Sequence, residues 1–130
     1  MGGFANNAPI VTDGLVFYVD AGNDNSYPGS GNTWTDLSGG ISNSLANGPT
    51  FDSGSGGGIS TDGSDDYITL PTGVVPSNTD VTISFTARND YTSLTTNRGI
   101  FAIEGGTGSK LQFFLGGTTG GPHGRVGTYN

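Results

Sequence analysis

Asp62-Gly63-Ser64-Asp65-Asp66-Tyr67-Ile68-Thr69-Leu70-Pro71 joins a tight acidic turn to an extended segment within a single short unit. Gly accepts positive φ and Asp side chains bond nearby backbone N–H groups, so residues 62–65 read as a sharp corner. From Asp66 the pattern alternates, with Ile68 and Leu70 on one face and Tyr67 and Thr69 on the other. Pro71 has no N–H to donate and ends the ladder. The unit is therefore a sandwich strand entered through a polar corner.

Working outward, Leu15, Phe17 and Val19 oppose Val16 and Tyr18, so residues 15–20 are apolar on both faces and predict a central, covered strand. Residues 21–32, with Tyr27-Pro28-Gly29 as a turn, predict a surface loop. Residues 34–37 return briefly to the body of the domain. Residues 38–58, mostly Gly, Ser and Asn, predict a long loop pegged by Ile41, Leu45 and Phe51. Val81, Ile83, Phe85 and Ala87 alternate with Thr82, Ser84, Thr86 and Arg88, the clearest period-two pattern in the chain, and predict an antiparallel strand with one wet face. Residues 100–103 and 111–115 predict a hairpin across a Gly-rich connection, and residues 125–129 the start of a further strand with an open edge.

No window of helical length carries apolar residues at three- and four-residue spacing, and Gly at 25 of 130 residues opposes helix formation. The expected architecture is all-β: a two-sheet antiparallel sandwich of jelly-roll type. Length predicts one domain over 1–130, with residues 1–11 as an N-terminal arm. Gly, Pro, Ser and Gln make 45 of 130 residues, a composition near low complexity, while Leu, Ile, Val and Phe make only 28. Grouping of those apolar residues into alternating runs decides for a folded domain with long polar loops.

A net charge of −7, with Arg88, Arg98, Lys110 and Arg125 as the whole cationic complement, leaves no basic stripe for phosphates. Nucleic acid is excluded as a partner, and an anionic membrane surface repels the chain. The absence of Cys removes disulfides and Cys-based metal clusters. Residues 1–6 lack the basic and apolar regions of a secretory signal, and no run reaches membrane-spanning length, so synthesis in the cytoplasm and no membrane insertion are expected.

Four blocks in order carry a resemblance: Gly14-Leu15-Val16-Phe17-Tyr18-Val19-Asp20, Trp34-Thr35-Asp36-Leu37-Ser38-Gly39-Gly40, Asp62-Gly63-Ser64-Asp65-Asp66-Tyr67-Ile68 and Val81-Thr82-Ile83-Ser84-Phe85-Thr86. Together they resemble laminin-G-like, concanavalin A-like jelly-roll domains of the lectin-glucanase type over residues 12–115, and in particular those of tailed-phage virion proteins. Such domains continue for several more strands, so the resemblance implies a chain incomplete at its C-terminus. It further implies a non-enzymatic structural or adhesion domain on a bacteriophage virion surface, as capsid decoration or as a tail or fibre component. Its partners would be other virion proteins or copies of itself, with weak binding to a host-surface glycan. The alternative is a free or cell-surface carbohydrate-binding lectin module.

Related glucanases carry Glu-x-Asp-x-x-Glu, whereas Glu104 is the sole Glu here and no Asp pair shares a predicted strand at the required spacing; hydrolysis, which needs two facing carboxylates, is not expected. His123, the sole His, lies in a Gly-Pro-His-Gly loop and reads as a surface residue. Asp62, Asp65 and Asp66 are hard oxygen donors crowded into one turn, the chemistry Ca²⁺ prefers; the competing reading is that such Asp residues bond their own backbone. Stacking on a sugar needs an exposed aromatic, and Tyr27, Trp34 and Tyr91 are the candidates in or near loops. For Trp34 the competing reading is a ring packed under a loop with its indole N–H bonded to backbone.

Overall fold

The computed structural model describes residues 10–40, 42–75, 80–88, 90, 98–104, 110–115 and 124–129. Regular structure among them is almost all strand, with one 3₁₀ turn at Gly54–Gly56, and every ladder is antiparallel. The all-β expectation holds at this level. The chain gathers into two compact units, Met1–Ser77 and Asn78–Asn130.

In the first unit β1 (Thr33–Trp34), β2 (Asn43–Ala46) and β5 (Tyr67–Thr69) form a three-stranded sheet in the order β1-β2-β5. β5 is the strand read from the acidic corner, with Ile68 half-buried between exposed Tyr67 and Thr69. Its partner β2 alternates likewise: Asn43 and Leu45 are buried and Ser44 is exposed. Leu45 stands opposite Ile68 in register, an apolar cross-strand pair on the inner face. β3 (Thr50–Asp52) and β4 (Gly58–Ser60) form a separate hairpin around the Gly54–Gly56 turn. Tyr27, 2% exposed, meets the β3 residue Phe51 with ring centroids 5.7 Å apart at 46°.

Two expectations for this unit are corrected. Residues 38–58, predicted as a long loop, contain β2, β3 and the first residue of β4. These strands are short and polar, so ladder pairing rather than residue preference makes them. Residues 15–20, predicted as a central strand, form none, and Val16 is 55% exposed. The segment is held by side chains instead. The Tyr18 N–H donates to Asp36 Oδ1 at 2.9 Å and the Asp20 N–H to Ser26 Oγ at 3.1 Å, while the Leu37 N–H donates to the Tyr18 carbonyl at 2.7 Å.

The second unit contains β6 (Arg98–Glu104), β7 (Lys110–Leu115) and β8 (Gly124–Tyr129), paired in that order. The expected hairpin and the expected following strand are both present. The β6–β7 register shifts between Gly99 and Phe101. Residues 80–88 overturn the strongest strand expectation: they form no strand, Val81 and Phe85 are 43% and 48% exposed, and Ile83 is half-buried. Alternation supplies a face, but a strand also needs a neighbour's N–H and C=O groups in register, and none of the described strands pairs with this segment. Arg88 instead makes a two-bond fork to Asp90, with Nε–Oδ1 at 2.8 Å and Nη2–Oδ2 at 2.9 Å. No helix among the described residues is long and apolar enough to cross a membrane.

A backbone-to-backbone approach joins the 20–26 loop to the β3–β4 turn. A Cβ on Gly57 would lie 2.6 Å from Gly22 Cα, and a Cβ on Gly22 would overlap the Gly56 carbonyl oxygen. Backbone on both sides leaves nothing flexible to yield. Gly22→Ala is therefore expected to cost about 3 kcal/mol or more in denaturant melts, whereas Gly58→Ala, with no atom within 4 Å of its Cβ, changes stability by about 1 kcal/mol or less. Coincident melts for the two variants would refute the contact.

Candidate functional site

The acidic corner follows from two local bonds and one cross-link. The Ser64 N–H donates to Asp62 Oδ1 at 2.7 Å, closing an Asx turn in which Gly63 takes φ 76°; the Asp62 N–H donates to Asp66 Oδ2 at 2.9 Å. Asn47 lies just beyond the final β2–β5 pair, Ala46 with Tyr67, and its Nδ2 donates to the Asp65 carbonyl at 2.8 Å. A carboxylate oxygen from each of Asp62, Asp65 and Asp66 lies within 4.8 Å of the others, with Asp62 and Asp65 exposed and Asp66 half-buried. The structure thus brings the three expected ligands together, in a donor set that suits a hard cation such as Ca²⁺. It also shows the competing use, because Asp62 and Asp66 already accept backbone N–H groups.

The same Asx turn recurs through the first unit. Asp20 Oδ1 accepts from the Gly22 N–H, Asn23 Oδ1 from Asn25, Asp36 Oδ1 from Ser38 and Asp52 Oδ1 from Gly54, at 2.8–3.0 Å. Asp36 goes furthest. At 5% exposure it accepts the N–H groups of Tyr18 and Ser38, and the Ser38 hydroxyl reaches both its oxygens at 2.8 Å. Burial by itself raises the Asp36 pKa, but the N–H of Tyr18, the N–H and hydroxyl of Ser38 and the N–H of Gly40 together outweigh it and hold the carboxyl below its ordinary value. A Cβ on Gly40 would overlap Asp36 Oδ2, so a side chain there would have to displace the carboxylate from its hydrogen bonds. For Tyr18, burial and then the nearby Asp20 carboxylate push the phenol above its ordinary range.

The three aromatic candidates fare differently. Tyr27 has no face for a sugar: its ring is in the core and its hydroxyl donates to the Gly31 carbonyl at 2.8 Å. This is a correction, and its cause is that the Pro28-Gly29 turn folds the ring inward onto Phe51 rather than outward. Trp34 lies half-buried on β1, and its indole N–H, expected to bond backbone, is buried without a partner among the described residues. Tyr91 lies outside the described residues, as does His123. Among the described residues of this unit the exposed aromatic is Tyr67, 54% accessible at the start of β5 and directly after the acidic corner. Alternation in the opening stretch places Tyr67 on the outer face, so the signal for it was in the sequence.

Asp36, Ser26 and Asn47 escaped the sequence reading as individual residues. The spacing Asp-x-Ser or Asp-x-Gly marks the Asx turns, but the long-range bonds, such as Ser26 Oγ donating to the Thr35 carbonyl at 2.7 Å, leave no local trace. No family model, curated protein or solved structure matches the chain.

Asp36→Ala is expected to cost roughly 2–4 kcal/mol, because it removes the one buried acceptor that ties the Tyr18 N–H to the Ser38 turn. The depressed folded pKa means that the stabilisation from Asp36 is complete above its unfolded value of about 3.9 and is lost as pH falls through the folded one. Melts below pH ~4 should therefore show wild type and Asp36→Ala converging; parallel curves would remove Asp36 from this role. At the acidic corner, Asp62→Ala should lower the melting temperature with or without Ca²⁺, through loss of the turn bond. The Asp65 carboxylate accepts no hydrogen bond among the described residues, so Asp65→Ala isolates the cation question. A melting temperature unchanged by chelator and by added Ca²⁺ in wild type excludes calcium.

Proposed function

We propose that this chain is a non-enzymatic structural and adhesion domain of laminin-G-like, jelly-roll type, displayed on a bacteriophage virion as capsid decoration or as a tail or fibre component. One observation carries the non-enzymatic part: four carboxylates of the first unit serve as acceptors that shape loops. Asp20, Asp36, Asp52 and Asp62 each hold a backbone N–H two residues on, and the most buried of them, Asp36, is kept ionised rather than poised to donate a proton. General acid catalysis on a glycosidic bond calls for the opposite, a carboxyl with a raised pKa. The particle setting rests on the four-block resemblance, and the acidic, cysteine-free composition is in keeping with it.

Weak glycan contact belongs to this reading, and the Tyr67 corner is where its chemistry is best met. An exposed ring supplies a stacking face, while Asp65 and Asn47 beside it supply acceptors and an amide for hydroxyls. Single weak sites of this kind become effective through many copies on one particle. The same corner serves the lectin alternative, so stoichiometry and affinity separate the two.

Antibody raised against the chain should label particles from the source culture at regular positions, and glycan arrays should bind a multivalent display of the chain but not the monomer. Monomer that binds one glycan tightly and is absent from every particle would establish the free lectin instead. Tyr67→Ala should abolish array binding with little change in melting, whereas Tyr27→Ala should cost about 3–5 kcal/mol of stability. Array binding that survives Tyr67→Ala moves the glycan elsewhere.

A further inference from the structure

Trp34 and Asn43 are register partners across the β1–β2 ladder, so their side chains stand on the same face of the sheet. Asn43 is 3% exposed and its Nδ2 donates to the Trp34 carbonyl at 3.0 Å. That bond settles which end of the amide is nitrogen and leaves Oδ1 as the other end. Asn43 Oδ1 and Trp34 Nε1 are both buried, and neither has a hydrogen-bond partner among the described residues. One is a pure acceptor and the other a pure donor, on paired residues of one face.

An unpaired buried polar atom is costly, and native structures answer nearly all of them with a partner or an ordered water. Two such atoms of opposite sense on one cross-strand pair narrow the partner's chemistry. A cation is repelled by the indole N–H and an anion by the amide oxygen, while an apolar group answers neither. What fits is a neutral group that accepts and donates at once. We infer that the Trp34–Asn43 pair is a binding site for a single hydroxyl group, which accepts from Trp34 Nε1 and donates to Asn43 Oδ1. Water and a sugar hydroxyl share this chemistry. The site does not depend on the particle reading, since water fills it in the isolated domain.

Trp34 is the sole Trp of the chain, so its indole N–H gives a single resonance in ¹⁵N-labelled protein. The full chain should show a direct dipolar cross-peak between that proton and water, with the sign of a long-lived bound molecule, and slow exchange with bulk solvent. Titration with a saccharide panel separates the sources. A saturable shift of the indole resonance with loss of the water cross-peak assigns the hydroxyl to a sugar; persistence of the cross-peak assigns it to water. Asn43→Leu should abolish the cross-peak while the indole resonance remains. Should that variant fail to fold, the wild-type spectrum still decides. An indole proton with neither a bound-water cross-peak nor a saccharide shift, or one exchanging at the rate of an exposed indole, overturns the inference.

Discussion

The buried Asp36 carboxylate is the constraint on which the first unit depends. Hydrogen bonds from neutral N–H groups to an ionised acceptor are roughly twice as strong as neutral ones, and this carboxylate collects them from Tyr18 on one side and from Ser38 and Gly40 on the other. Residues 15–20 are thereby attached without a ladder. The Leu37 N–H then returns a bond to the Tyr18 carbonyl, so the two segments bind each other in both directions. Ser26 repeats the device one step away, accepting from the Asp20 N–H and donating to the Thr35 carbonyl.

This arrangement follows from composition. The buried hydrophobic residues described are Ala21, Tyr27 and Leu45, and burial of so little apolar surface leaves much of the definition of the loops to polar side chains and to glycine. Asx turns recur at Asp20, Asn23, Asp36, Asp52 and Asp62. Glycine permits the close approaches that result, at Gly40 against Asp36 and at Gly22 against Gly57. The acidity of the chain and its glycine content are thus two sides of one structural solution.

At the candidate site, the sequence disclosed the Asp62-Asp65-Asp66 corner because the turn is local: its bonds run between residues two and four apart. It also disclosed Tyr67 as outward-facing, although Tyr27, Trp34 and Tyr91 were the aromatics it put forward. Tyr27 failed because a turn sequence says that the chain reverses but not which side chain is folded under it. The pairing of Trp34 with Asn43 was hidden for a related reason, since nothing in a Gly- and Ser-rich stretch announces a two-residue strand or its register.

By itself the sequence determined the all-β class, the β5 strand with its acidic entry, and the β6–β7–β8 run, because period-two alternation bounded by Gly, Asp and Pro is a local property of the backbone. It also determined the turn at Asp62, since that bond closes over two residues. Only the tertiary structure decided which alternating segments became strands. Residues 80–88 alternate better than β2 does, yet β2 is a strand and they are not, because β2 lies between β1 and β5 while no described ladder includes residues 80–88. A ladder is a contract between distant segments, and its second party cannot be read from the first.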